Sequence, residues 1–325
     1  MKAIRIHEFG DESVLRYEEV PDPSCGPGEM LIRVKAASVN RGDLSRRAGT
    51  AAVTPLPQPL TIGWDVAGDV VQIGSEVDSV RVGQRVVVRL SEGGYAELVA
   101  APASVAVPLP DELDYDRAAS LPVAFLTAWV ALLDTLKLTT GETVLVQSAG
   151  SGVGMAGIQI AKQVAGATVF TTAGTDAKVA KAMELGVDEA INYTTRDFLA
   201  EVQGLTQGRG VQVALDMVGG DVFARTQQAL TEGGRLVSVG RSSGISPEVD
   251  TELAARKHQQ VTVGWRLGEL RTPEESARDL AHIVELIAKG TLVTIVDKVF
   301  PLSEAAEAHR HLADRAQFGK VILRP

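Results

Sequence analysis

The hydrophobic positions of this chain fall into two textures. Over the first 120 residues they come in short alternating runs. Residues 1–6 form one, and residues 30–36 another, with Leu31, Arg33 and Lys35 set against Ile32 and Val34. Residues 65–73 and 85–89 are rich in valine and bounded by glycines, and turn signals such as Pro27-Gly28 and Gly93-Gly94 lie between runs. Period-2 runs punctuated by glycine and proline predict strands. One helical insertion is expected near residues 40–47.

The texture changes near Pro122. Apolar strands at residues 143–147, 168–172, 189–191, 211–216, 235–239 and 260–263 alternate with helical stretches at 153–165, 176–185, 197–203 and 221–230. Alternating β and α units predict a parallel sheet with right-handed crossovers. From Pro273 the pattern shifts again: a helix to Lys289, a strand near 296–299, a helix at 303–313 and a last strand at 320–323. That tail is too small for a domain and is expected to return to the first one. The expected division is 1–121, 122–265 and the returning 266–325, in an α/β chain.

Composition agrees with two globular domains. Of 325 residues, 45% are hydrophobic and 22% charged, which argues against disorder, collagen or coiled coil. The net charge of −9, with no run of Lys and Arg, argues against nucleic acid or an anionic membrane as partner. A single cysteine, Cys25, excludes an intramolecular disulfide and a cysteine cluster for a metal. The N-terminus carries charges where a signal peptide needs an apolar core. The longest apolar stretch, residues 121–133, contains Pro122 and Thr127 and is shorter than the roughly 20 residues of a membrane span. The expectation is a cytoplasmic protein.

Candidate chemistry begins where residues 143–147 run into Ser148-Ala149-Gly150-Ser151-Gly152-Val153-Gly154 and then a helix. A tight turn there lets backbone N–H groups meet a diphosphate at the positive end of the helix. Aligned on Gly154, the usual three glycines read Ala149, Ser151 and Gly154, so the context between strand and helix carries the motif. The candidate contacts are Ser151, Gly152, Val153 and Gly154.

The second strand selects the cofactor. An NAD site carries an acid about 20 residues beyond the glycines. Here the strand ends Thr171-Thr172-Ala173-Gly174-Thr175, with no acid. Gly174, Thr175 and Lys178 suit a 2′-phosphate, and Tyr193 follows the third strand, placed to close over it. This favours NADPH. Asp176 opposes the reading unless it turns outward in the first helical turn. The plainer alternative makes Thr175 a helix cap and Lys178 a solvated charge.

With these residues on view, the chain resembles the zinc-independent quinone oxidoreductase branch of the medium-chain dehydrogenase/reductase superfamily. The markers are Ser38-Val39-Asn40-Arg41-Gly42-Asp43, Gly63-Trp64-Asp65-Val66-Ala67-Gly68, Gly93-Gly94-Tyr95-Ala96-Glu97, Leu126-Thr127-Ala128-Trp129, the glycine turn, Ile191-Asn192-Tyr193 and Phe318-Gly319-Lys320-Val321-Ile322-Leu323. The resemblance implies a GroES-like β domain and a Rossmann-type, doubly wound parallel sheet. It places Asn40, Trp64 and Val123 where the superfamily's zinc enzymes have their ligands, and none is a good zinc donor. It further implies that Thr127, Val239 and Gly240 meet the nicotinamide and that Phe318, Gly319 and Lys320 contribute to the cofactor site.

Without a metal, hydride transfer needs an acceptor that is already electrophilic, such as a quinone or an α,β-unsaturated carbonyl. Asn40 is the candidate for the substrate oxygen. Asp43 orients the loop or, equally, caps the helix or pairs with Arg47. Ser45 stands where relatives often have a tyrosine, and Trp64 where they often have a small polar residue. Trp64 narrows the pocket, stacks on the substrate or fills space. No side chain is an obvious general acid; a solvent proton would serve, and the sequence leaves the proton donor unassigned. The alternatives are an enoyl or alkenal reductase and a redox-silent NADPH-binding protein. The resemblance also implies a homodimer.

Overall fold

The computed structural model describes residues 1–50 and 59–325. The chain divides into two compact units: residues 1–123 together with 271–325, and residues 124–270.

Unit 1 opens with β1 (Lys2–Ile6), β2 (Arg16–Glu19), β3 (Glu29–Val39), β4 (Leu60–Thr61), β5 (Asp65–Ile73), β6 (Arg85–Arg89), β7 (Leu98–Pro102) and β8 (Val107–Pro108). Unit 2 holds β9 (Thr143–Val146), β10 (Thr168–Ala173), β11 (Glu189–Asn192), β12 (Val211–Asp216), β13 (Leu230–Ser238) and β14 (Gln260–Thr262). The chain then re-enters unit 1 with β15 (Val296–Pro301) and β16 (Lys320–Arg324).

In unit 1 the main sheet runs β15-β16-β3-β5-β6-β8, with β7 also on β3, and a small sheet runs β2-β1-β4. β3 shows why the alternating pattern was readable. Arg33 and Lys35 are exposed while Ile32 and Val34 are buried. Toward its end the alternation stops, and Ala36 through Val39 are all buried. There β16 pairs antiparallel on one side, Val321 opposite Val39, and β5 on the other. The returning helix Pro273–Ala288 begins with a capping box, Thr272 and Glu275, and proline in its first turn. It buries Leu280, Ile283, Val284 and Ile287, the i, i+3, i+4, i+7 stripe of one helix face.

Unit 2 is a six-stranded parallel sheet in the order β11-β10-β9-β12-β13-β14. This is the doubly wound order of dinucleotide-binding folds, and the strand order reverses beside β9. The helix after β9 is α-helical over Gly152–Gln159 and widens into a π-helical stretch, Ile160–Val164. No described helix is long and apolar enough to cross a membrane.

Candidate functional site

The glycine turn lies at the carboxyl end of β9, at the switch point. Ser148 has φ 61°, a left-handed conformation, and its N–H donates to the Thr172 hydroxyl at 3.1 Å. Thr172 in turn donates to Gln147 Oε1 at 2.5 Å, and Gln147 Nε2 donates to Thr226 at 2.7 Å. This buried chain ties the turn to its neighbours. A Cβ on Gly154 would stand 2.1 Å from the Ser148 carbonyl oxygen, so only glycine fits. Ser151 caps the helix, accepting from the Gly154 N–H at 2.9 Å. The N–H groups of Gly152 and Val153, first in the helix, have no intrahelical acceptor and suit an anion.

At the end of β10, Gly174 lies against Tyr193: a Cβ there would be 2.7 Å from the tyrosine hydroxyl. Tyr193 is 48% exposed. Thr175 does cap the helix Asp176–Glu184, accepting from the Lys178 N–H at 3.2 Å, which leaves its hydroxyl proton to donate. Asp176 is exposed as expected, and its carboxylate is also engaged, accepting from Asn192 Nδ2 at 2.6 Å. Gly174, Thr175, Lys178 and Tyr193 thus share one end of the sheet with the glycine turn. Val239 and Gly240 follow β13 at that same end, both half-buried. Thr127, in the helix Pro122–Trp129, is 7% exposed, and among the described residues no hydrogen bond engages its hydroxyl.

Unit 1 contains a buried polar cluster built around Asn40, the residue joining β3 to the helix Arg41–Arg47. The Asn40 N–H donates to Asp43 Oδ2 at 2.8 Å, fixing the helix start. Its side-chain oxygen accepts from Lys320 Nζ at 2.5 Å, and its Nδ2 donates to Asp65 Oδ2 at 3.0 Å. Asp65 also accepts from the Ser38 hydroxyl at 2.8 Å and from the Val123 N–H at 3.2 Å.

Asp43 ends a second, one-directional chain. Arg47 donates to His309 Nδ1 at 3.1 Å, so the ring proton sits on Nε2 and points to the Tyr95 oxygen at 3.3 Å. The Tyr95 hydroxyl donates to Asp43 Oδ2 at 3.0 Å. Burial pushes the Asp43 carboxyl up to about 7. Burial, then the Arg47 charge, holds His309 down to about 3, so it stays neutral.

Several expectations change here. Asp43 is not a partner for Arg47, whose guanidinium goes to His309 and the Gly10 carbonyl. Phe318, Gly319 and Lys320 are buried, and Lys320 opens β16, which lies between β15 and β3. Ser45 is half-buried, its hydroxyl 3.4 Å from the Arg41 carbonyl one helical turn back. Trp64 is half-buried and wedged. A Cβ on Gly42 would meet its ring at 2.2 Å, and nearby Glu92 pairs with Arg46 at 2.6 Å.

Sequence reasoning missed Tyr95 and His309 as cluster members, and it did not pair Lys320 with Asn40. Tyr95 and Asp65 lay inside quoted markers, but nothing local marks His309, which is 214 residues from Tyr95. Among the described residues no group of three or more His, Cys, Asp or Glu side chains is arranged to hold a metal ion.

A glycine turn at the switch point of one unit, and a buried polar cluster at a helix start in the other, define a nucleotide-binding, two-unit class of protein. Two family models match the chain. One is described as an alcohol dehydrogenase GroES-like domain and covers residues 26–111; the other, described as a zinc-binding dehydrogenase, covers residues 185–323. The quinone oxidoreductase of Sus scrofa is 32% identical over 99% of this chain and 97% of its own length. The 2-haloacrylate reductase of a Burkholderia species is 31% identical over 98% of each. The Escherichia coli quinone oxidoreductase complexed with NADPH matches with a TM-score of 0.93 at 29% identity, covering 100% of both chains. The chain also matches, at 34% identity, a phenolphthiocerol/phthiocerol polyketide synthase polypeptide of Mycobacterium tuberculosis, of which it spans only 14%. The chain belongs to the medium-chain dehydrogenase/reductase superfamily, in its quinone oxidoreductase group.

Proposed function

We propose that this protein is an NADPH-dependent reductase of quinones and other α,β-unsaturated carbonyls that works without a metal. The observation that carries the reading is the side-chain set at Asn40. Where a zinc enzyme presents ligands, this chain presents a carboxamide held between a buried ammonium and a buried carboxylate. A dication would meet the Lys320 charge there, and of Asn40, Trp64 and Val123 none offers a thiolate, imidazole or carboxylate. The cofactor residues fit NADPH. The glycine turn and the first N–H groups of its helix receive the diphosphate, while Gly174, Thr175, Lys178 and Tyr193 receive the 2′-phosphate. The relative crystallised with NADPH supports the same choice.

When bound, NADPH supplies a hydride. An enone would accept it at the β-carbon and a quinone at its conjugated dicarbonyl system; in both cases negative charge would develop on a carbonyl oxygen. Asn40 donates an N–H to that oxygen, and solvent supplies the proton that completes the saturated ketone or hydroquinone. Asp43 holds the Asn40 backbone, and Trp64 forms a rigid apolar wall. The 2-haloacrylate reductase relative favours a second reading, in which activated alkenes are preferred to quinones. NADPH oxidation measured with 1,4-benzoquinone, 9,10-phenanthrenequinone and an alkenal decides between them. Tight NADPH binding with no turnover on any of the three would leave the redox-silent reading instead.

A further inference from the structure

Lys320 occupies an unusual place for a cation. It is 3% exposed on β16, and Val321, Ile322 and Leu323 after it are fully buried. A buried ammonium persists only when it is paired and hydrogen-bonded. The carboxylate it pairs with, Asp65, is 3.8 Å away, whereas the Asn40 side-chain oxygen is at 2.5 Å. The charge is therefore directed at an amide more closely than at an acid.

That contact fixes the amide. Lysine only donates, so oxygen must face it, and Asp65 takes one N–H of the other end. The second N–H of Asn40 has only the Ser38 carbonyl at 3.5 Å, beyond ordinary hydrogen-bond length. An ammonium on the amide oxygen draws electron density toward it and leaves the nitrogen protons more positive, the cooperative effect of a hydrogen-bonded chain at low dielectric.

We propose that Lys320 is a positioning residue for the reduction. Acting through the Asn40 amide, its fixed positive charge stabilises the oxyanion that develops on the acceptor. The proton stays on lysine throughout, and the hydride and solvent proton follow the routes given above. The inference rests on the reading that Asn40 meets the acceptor's oxygen.

The test begins with Lys320→Met, which keeps length and removes charge. It should lower kcat by about ten- to a hundredfold, less than the roughly hundred- to thousandfold loss from deleting a direct oxyanion donor, because the charge acts through the amide. NADPH affinity and the acceptor KM should move less than about threefold. Because that variant leaves Asp65 buried without its cation, the paired Lys320→Met/Asp65→Asn variant is measured beside it. Its melting temperature should recover while kcat stays low. Parental kcat in the folded double variant would overturn the proposal. So would a Lys320→Met protein that loses NADPH affinity but keeps kcat, which would make Lys320 a cofactor residue. The side-chain amide resonance of Asn40 separates this inference from the proposed function. A shift that moves in Lys320→Met, in a protein whose parent reduces none of the acceptors, would sink the function and leave the Lys320–Asn40 coupling standing. An unmoved resonance overturns the coupling.

Discussion

At the scale of single residues, the Asp43 and His309 pair makes a signed prediction. Asp43 has its folded pKa raised above the unfolded value, so its contribution to stability falls as pH rises from about 4 to about 7. The His309 folded pKa is depressed, so its contribution rises with pH between about 3 and about 6.5. The two oppose each other over most of that range. Asp43→Asn keeps an acceptor for Tyr95 and removes one slope. Relative to the parent, its stability should climb with pH between about 4 and 6.5, by up to about 1.4 kcal/mol per pH unit. His309→Gln should show the reverse sign. Melting curves across pH measure both, and parallel curves for parent and variants would refute the assignment.

Trp64 makes a second prediction at this scale. Trp64→Ala should raise the ratio of specificity constants for 9,10-phenanthrenequinone over 1,4-benzoquinone, at a stability cost of at most about 3–5 kcal/mol. Gly42→Ala, whose new methyl group would press on the same ring, should shift that ratio without opening a cavity. An unchanged ratio in both removes Trp64 from the substrate's surroundings. The sequence exposed Asn40 and Trp64 because they sit in compact markers. It did not reveal that Lys320 meets Asn40 or that His309 meets Tyr95, because those partners are 280 and 214 residues apart and no local pattern encodes such a meeting.

At the scale of elements, the proposed choice of NADPH rests on the turn after β9 and the end of β10. Charge-assisted contacts to a phosphate contribute roughly 1.5–3 kcal/mol each. NADPH should therefore bind well ahead of NADH. Lys178→Ala should narrow the preference while leaving NADH kinetics nearly unchanged, as steady-state constants with both cofactors will show. Equal affinities in the parent would contradict the site. These elements were legible because period and punctuation are local: β12 spans the anticipated residues, and the helix after β10 starts at Asp176. The orienting chain Ser148–Thr172–Gln147–Thr226 was not legible, since Gln and Thr in buried strands look alike whether or not they pair.

At the scale of the whole molecule, two further outcomes are expected. β14 ends the parallel sheet and, among the described residues, pairs only with β13, and Val263 beyond it is 41% exposed. A terminal strand of this kind is an opening for association, and a two-fold axis closes it. Light scattering should give about twice 34.3 kDa, and a monomer at micromolar concentration would contradict that. Dialysis against a strong chelator should leave turnover and melting temperature as they were. Stoichiometric zinc lost together with activity would show the ligand positions misplaced.

The place of β16 has a consequence for how the chain is made. It is an inner strand, between β15 and β3, yet it emerges during synthesis only after all of unit 2. Unit 2 is continuous in sequence and free to condense early, whereas unit 1 must wait to close a contact 280 residues long. Until then the Ala37–Val39 end of β3 lacks its β16 neighbour, although β7 already covers Glu29–Arg33, and the Asn40 amide lacks its ammonium partner. The nascent protein can thus complete the unit that carries the glycine turn before the Asn40 cluster is assembled. That interval, with part of a strand edge still unpaired, is the stretch of synthesis in which an open edge invites misassembly.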